Sequence, residues 1–385
     1  MAETADLRLY SIILVIAFNT AVSAQSDPGP RSLSLAWEFP MPRETPQAIV
    51  EDTLKRPLLY VATKNGGLVV LTAPPKQAPK ELARLGVDQF ENLHVMHLTQ
   101  SGEDLFLALG DLFDAKGAPA GLAIVSVKEP KRPRVTAVWK STESLNGSAT
   151  VLVDGDIAYL GAMSAGVMIF DVSRRDRIQL LCHFQPDIHF PVPNPRKIHH
   201  PNARGLAKQG ELLFVAYDAG GLRVLDVADP RRPREIGRYL NPKFPNKPQA
   251  FNNLVIDGQK AYVAVDYAGL EILDIRDPRA MKQLGWWNPW QAETLGNVWF
   301  NSPGHTNQIE WQAKSRQVWM SAGDSELQIV DVSKPAQPRL VGVYGAPRDK
   351  RGVWGVTLST NRAYLSYITA TIPFQGTWSG IKAVE

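Results

Sequence analysis

The chain has 385 residues, 44 % of them apolar and 21 % charged, which is ordinary for a globular protein and argues against disorder beyond the ends. A net charge of +4 is mild, and the basic residues are scattered, so a nucleic-acid partner is not expected. The single cysteine, Cys182, excludes an intrachain disulfide and a cysteine-built metal site.

The first stretch differs from the rest. Residues 10–18 are an apolar run preceded by Arg8, and Val22-Ser23-Ala24 supplies the small side chains a signal peptidase reads. The expectation is a signal peptide over residues 1–24, one domain over residues 25–385, and export to the periplasm, the cell surface or the medium. The run is shorter than the roughly 20 residues a membrane-crossing helix needs, so no transmembrane segment is expected in the mature chain.

From there one unit recurs. Residues 67–73 read GLVVLTA, 121–127 GLAIVSV, 166–172 GVMIFDV, 221–227 GLRVLDV, 269–275 GLEILDI and 326–332 ELQIVDV. Counted between Thr72, Ser126, Asp171, Asp226, Asp274 and Asp331, the spacings are 54, 45, 55, 48 and 57 residues, the period of a solenoid or propeller. Residues 149–184 give the clearest copy: four short apolar runs separated by turn residues such as Asp154-Gly155-Asp156, hence four strands, A to D. Strand B repeats as LYVAT, LFLAL, AYLGA, LFVAY, AYVAV, VWMSA and AYLSY, starting at Leu59, Leu105, Ala158, Leu213, Ala261, Val318 and Ala363, which makes seven units. β-Branched and aromatic residues dominate and Gly or Pro interrupts every run, so no helix is expected.

The two ends complete each other. The last unit supplies A, B and C, with residues 380–385 reading GIKAVE, and lacks D; residues 30–37, PRSLSLAW, resemble the D strand at residues 338–344. The expectation is an all-β, seven-bladed β-propeller of four-stranded antiparallel blades, its ring closed by the N-terminal strand, with residues 32–37 pairing with residues 380–384. Radial repetition hides the sheet faces and edges that a lone meander would expose.

The strand-C motifs VLDV, ILDI and IVDV, followed by Ser or Asp and Pro, resemble the LVIVD-repeat family. That resemblance implies a β-propeller of envelope or secreted proteins and brings no catalytic residues with it.

Strand A lines the axis of a propeller, so the D–A and B–C connections share one face and the A–B and C–D connections the other. The C–D turns are short and alike, and Asp171, Asp226, Asp274 and Asp331 should accept backbone hydrogen bonds there. The D–A connections are long, proline-braced and individual, with Trp286, Trp287, Trp290, Trp299 and His189 among their residues. Aligning the units on strand B places Arg204, Asn252 and Trp354 at one position, with Asn253, His305 and Asn307 beside it; His199 and His200 precede it, and Tyr217, Asp218, Asp266 and Tyr267 join from the B–C loops. These twelve are the candidate ligand-binding residues, at the mouth of the channel.

Two classes of function stay open at this point. A binding site there would take a small molecule, a glycan or an envelope protein, since aromatic rings stack on sugars and Trp, Tyr and Arg dominate binding surfaces. Alternatively a lyase, isomerase or hydrolase would use His, Arg and Asp at the same mouth. A divalent metal, held by His94, His97, His199, His200 or His305 with Asp218, Asp266 or Asp324, would assist it. No phosphate loop, dinucleotide fingerprint or H-E-x-x-H spacing is present.

Overall fold

A computed structural model describes residues 29–74, 77–111, 117–145, 147–191, 201–244, 247, 249–295, 303–349, 351–360, 362–370 and 376–385. The expected signal peptide, His199, His200 and Trp299 lie outside them. Seven four-stranded antiparallel units form a ring of blades. Blade 4 is typical: Gly205–Gln209, Leu212–Ala216, Leu222–Asp226 and Arg234–Tyr239 pair in that order as strands A to D. Among the described residues the helical elements are two short 3-10 turns, Val87–Phe90 and Ala292–Thr294.

Burial across a blade explains the composition of its strands. In blade 1 every residue of strand B, Leu58–Thr63, is buried, whereas strand D, Glu81–Leu85, is exposed or half-buried throughout. Inner strands are sandwiched between neighbouring blades and therefore read as unbroken apolar runs, while D faces water. A bulge between strands C and D recurs in all seven blades and adds twist to each outer edge. The strand-C aspartates act as anticipated: Asp171, Asp226, Asp274 and Asp331 accept backbone N–H bonds from Ser173, Ala228, Arg276 and Ser333 at 2.8 to 3.1 Å.

The ring closes as the matched ends imply, with a shift in boundary. Leu35–Pro40 is the D strand of blade 7 and pairs with Gly380–Val384. Arg31–Ser32, expected in the same strand, instead runs parallel to strand D of blade 6, opposite Gly342 and Val343. Trp37 then enters a cluster with Ile49, Leu59, Val69, Tyr364 and Ile381, residues of blades 7 and 1. One segment therefore ties blades 6, 7 and 1 together.

Candidate functional site

The first residues of strand A in several blades meet at one end of the channel. A cavity of about 30 Å³ there is lined by Met96 and His97 from blade 2, Ala149 and Thr150 from blade 3, Arg204, Asn252 and Asn253, Asn307 and Gln308, and Trp354. Five of the twelve candidates, Arg204, Asn252, Asn253, Asn307 and Trp354, thus line a single site. A space of this size holds one or two waters, so the throat admits a small headgroup and not a whole molecule.

Its chemistry is one cation among amides. The Arg204 guanidinium stands 5.8 Å from the centre of the Trp354 ring and has no carboxylate partner among the described residues. Asn252 donates through Nδ2 to the Thr306 carbonyl at 2.8 Å and to Asn307 Oδ1 at 3.4 Å, which fixes its orientation and leaves its buried Oδ1 without a partner among the described residues. His97 accepts from the Val151 N–H at Nδ1, 3.4 Å away, which puts its proton on Nε2; desolvation in the channel pushes its pKa down to about 4, so it is neutral at pH 7. Two residues beyond Gln308, in the strand Ile309–Gln312, burial raises the Glu310 carboxyl to about 7.

The other candidates serve the seams between blades. Asp266 ends strand B of blade 5 and accepts the N–H of Thr306, where blade 6 begins, at 3.1 Å; His305 Nδ1 lies 3.3 Å from the same oxygen. His305 is 2 % exposed, tucked against the edge of the Tyr267 ring, and is absent from the mouth where it was expected. Asp218 has the equivalent role in the preceding blade: it accepts from Asn202 Nδ2 at 3.1 Å, and its backbone bridges Phe251 of blade 5. Tyr217 and Tyr267 are fully buried, Tyr217 with Arg223 stacked over its ring at 5.4 Å. Of the residues considered for a metal, His94 pairs with Asp111 at 3.2 Å, and no group of three or more His, Cys, Asp or Glu among the described residues is arranged to hold an ion. The sequence reading missed Met96, Ala149, Thr150 and Gln308, although the strand-B alignment that found Arg204 puts all four at the same end of their own strands.

The comparisons with known proteins agree on the fold. The sequence pattern of a family described as the LVIVD repeat matches residues 202–241, 251–286 and 319–345, which fall in blades 4, 5 and 6. No curated protein matches the sequence. Among solved structures, Sqt1 of Saccharomyces cerevisiae is similar at 11 % identity over 88 % of this chain and 84 % of that one, with a TM-score of 0.58. A chain in the structure titled mitotic checkpoint complex is similar at 13 % identity over 97 % and 98 %, TM-score 0.57. The computationally designed Ika8 protein is similar at 11 % identity over 88 % and 82 %, TM-score 0.53. At these identities the likeness is one of fold. Among the described residues no helix is long and apolar enough to cross a membrane.

Proposed function

We propose that this chain, an LVIVD-repeat β-propeller, is a ligand-binding protein whose site is the channel mouth, and that its ligand carries a carboxylate, as organic acids and acidic sugars do. The observation that carries the reading is Arg204, a guanidinium without an acidic partner among the described residues, set against Trp354 and ringed by side-chain amides. A guanidinium fork matches a carboxylate bidentately, and the flanking amides supply further donors. The narrow throat takes the charged headgroup, and the body of the ligand rests above it among the D–A loops. The same reading takes residues 1–24 as an export signal, which predicts a native mass beginning at Gln25; a soluble cytoplasmic form retaining Met1 overturns export.

The binding proposal is tested by titrating a panel of organic acids, uronic acids and their uncharged counterparts in a calorimeter. The expected result is saturable binding of one or more acids. Arg204→Ala should then weaken binding at least tenfold, about 1.4 kcal/mol, with a melting temperature within about 2 °C of wild type, since partly exposed polar residues add little to stability. Binding that survives Arg204→Ala, or a panel in which no acid binds, removes the mouth as the site.

A further inference from the structure

A second cleft opens between blades 6 and 7, away from the channel. Its volume is about 260 Å³, and Glu38, Glu326, Arg351, Tyr367, Trp378 and Lys382 line it.

The repeat itself marks this cleft as unusual. The strand-C motif opens with glycine in six blades, at Gly67, Gly121, Gly166, Gly221, Gly269 and Gly380, and only blade 6 opens it otherwise, with Glu326. The third residue of the same motif is apolar in blades 1 to 3, at Val69, Ala123 and Met168, and polar in blades 4 to 7, where it is Lys382 in blade 7. The Glu326 exception faces the last of these polar residues: Lys382 Nζ donates to Glu326 Oε2 at 2.9 Å, with Glu326 7 % and Lys382 16 % exposed in their side chains. Tyr367 donates its hydroxyl to the same oxygen. A buried ion pair is seldom more stabilising than a well-packed apolar pair; Lys382 Nζ is also held among the Tyr344, Tyr367 and Trp378 rings, 4.6 to 5.6 Å from their centres.

Both bonds fall on one oxygen. Glu326 Oε1 takes no hydrogen bond from the described residues, although the side chain is more than nine-tenths buried and lines the cleft. That oxygen is reached by solvent from the cleft, so it can accept a hydrogen bond from water or from a ligand seated there. The charges lining the cleft cancel, Glu38 and Glu326 against Arg351 and Lys382, which disfavours an ionic guest. The half-buried Trp378 ring, held edge-on to Tyr367 at 5.2 Å, supplies an apolar wall beside these polar groups.

We infer that this cleft binds one neutral hexopyranose ring. Such a ring has an apolar C–H face for Trp378 and hydroxyls that can donate to Glu326 Oε1 and accept from Arg351. The volume falls just below the range of about 300–1,000 Å³ usual for larger ligands, which suits a single ring.

Saturation-transfer NMR with glucose, galactose and mannose, each at concentrations up to about 50 mM, tests the inference, since a Kd near 1 mM corresponds to about −4 kcal/mol. Saturable binding of at least one hexose is expected, unchanged within twofold in Arg204→Ala and weakened about tenfold or more in Trp378→Ala. If Trp378→Ala fails to fold, hydrogen exchange on the unaltered protein decides: hexose should protect residues 376–382 and leave the channel mouth unaffected. Methyl glycosides separate the two sources of the ring, binding equally if the site takes a glycan terminus and failing if it requires a free sugar; either supports the cleft. Absence of binding by all three hexoses, binding that persists in Trp378→Ala, or protection at residues 204 and 354 instead would overturn it.

Discussion

The third residue of strand C shows how far one position can be bent from its structural default. Blades 4 to 7 place Arg223, Glu271, Gln328 and Lys382 there, at a point where neighbouring blades press together. Glu271 is fully buried; Tyr239 donates to its Oε2 at 2.7 Å and Gln283 at 3.1 Å, and desolvation still raises its pKa from 4.5 to about 7. The folded state therefore retains a proton that the unfolded chain releases between those two values. Stability from this residue is greatest below pH 4.5 and declines as pH rises to about 7. Glu271→Gln should leave stability at pH 4 little changed and raise it at pH 8 by on the order of 1–3 kcal/mol, read from urea melts at the two values. Parallel pH profiles for the two proteins would show that the carboxyl titrates normally.

At the level of the strand, the closing segment carries more than its length suggests. Trp37 is 6 % exposed at the seam of blades 7 and 1, whereas Leu35, two residues away in the same strand, is 45 % exposed. Trp37→Ala should therefore cost about 3–5 kcal/mol and Leu35→Ala less than about 0.5 kcal/mol, compared by denaturant midpoints. Equal effects would mean the strand is held by backbone pairing alone. The strands were legible because each inner one is apolar on both faces and bounded by Gly, Asp or Pro, so period and punctuation coincide; even the missing D strand could be found at the other terminus. The split of the N-terminal segment was hidden, because Arg31 and Ser32 carry no pattern that says which blade they join. In the same way, alignment brought out Arg204, Asn252, Asn253, Asn307 and Trp354 as neighbours. It could not show that His305 and Asp266 turn away from the mouth to meet each other, since alternation gives the side a residue faces and not the partner it finds there. Glu326 stands out in the sequence as an exception to the repeated glycine, but its partner Lys382 lies 56 positions away in the chain.

The blades form a ring in which blade 7 is assembled from two distant parts of the chain, Leu35–Pro40 and residues 353–384. Ser34 and Glu385 exchange backbone hydrogen bonds at 2.9 Å in both directions, so Glu385, one residue past strand C of blade 7, already stands where a C–D turn would begin. Joining Glu385 to Ser34 through a short polar turn should make blade 7 continuous like the other six. New termini can then be opened elsewhere, at the exposed C–D turn between Arg231 and Arg232 in blade 4. If the blades are equivalent units of one closed scaffold, the opened strand D of blade 4 will now pair across a chain break, as Leu35–Pro40 does in the natural order. The circular permutant should fold, show the same all-β circular dichroism, and melt within several degrees of the parent, because the contacts exchanged are alike in kind apart from the short Arg31–Ser32 pairing with blade 6, which the joined end gives up. Ligand binding at the mouth should be retained, since Arg204, Asn252 and Trp354 keep their blades and their neighbours. A permutant that aggregates or melts non-cooperatively would mean that the N-terminal strand acts as more than a clasp, and that the order in which blades 6, 7 and 1 are tied is itself required for folding.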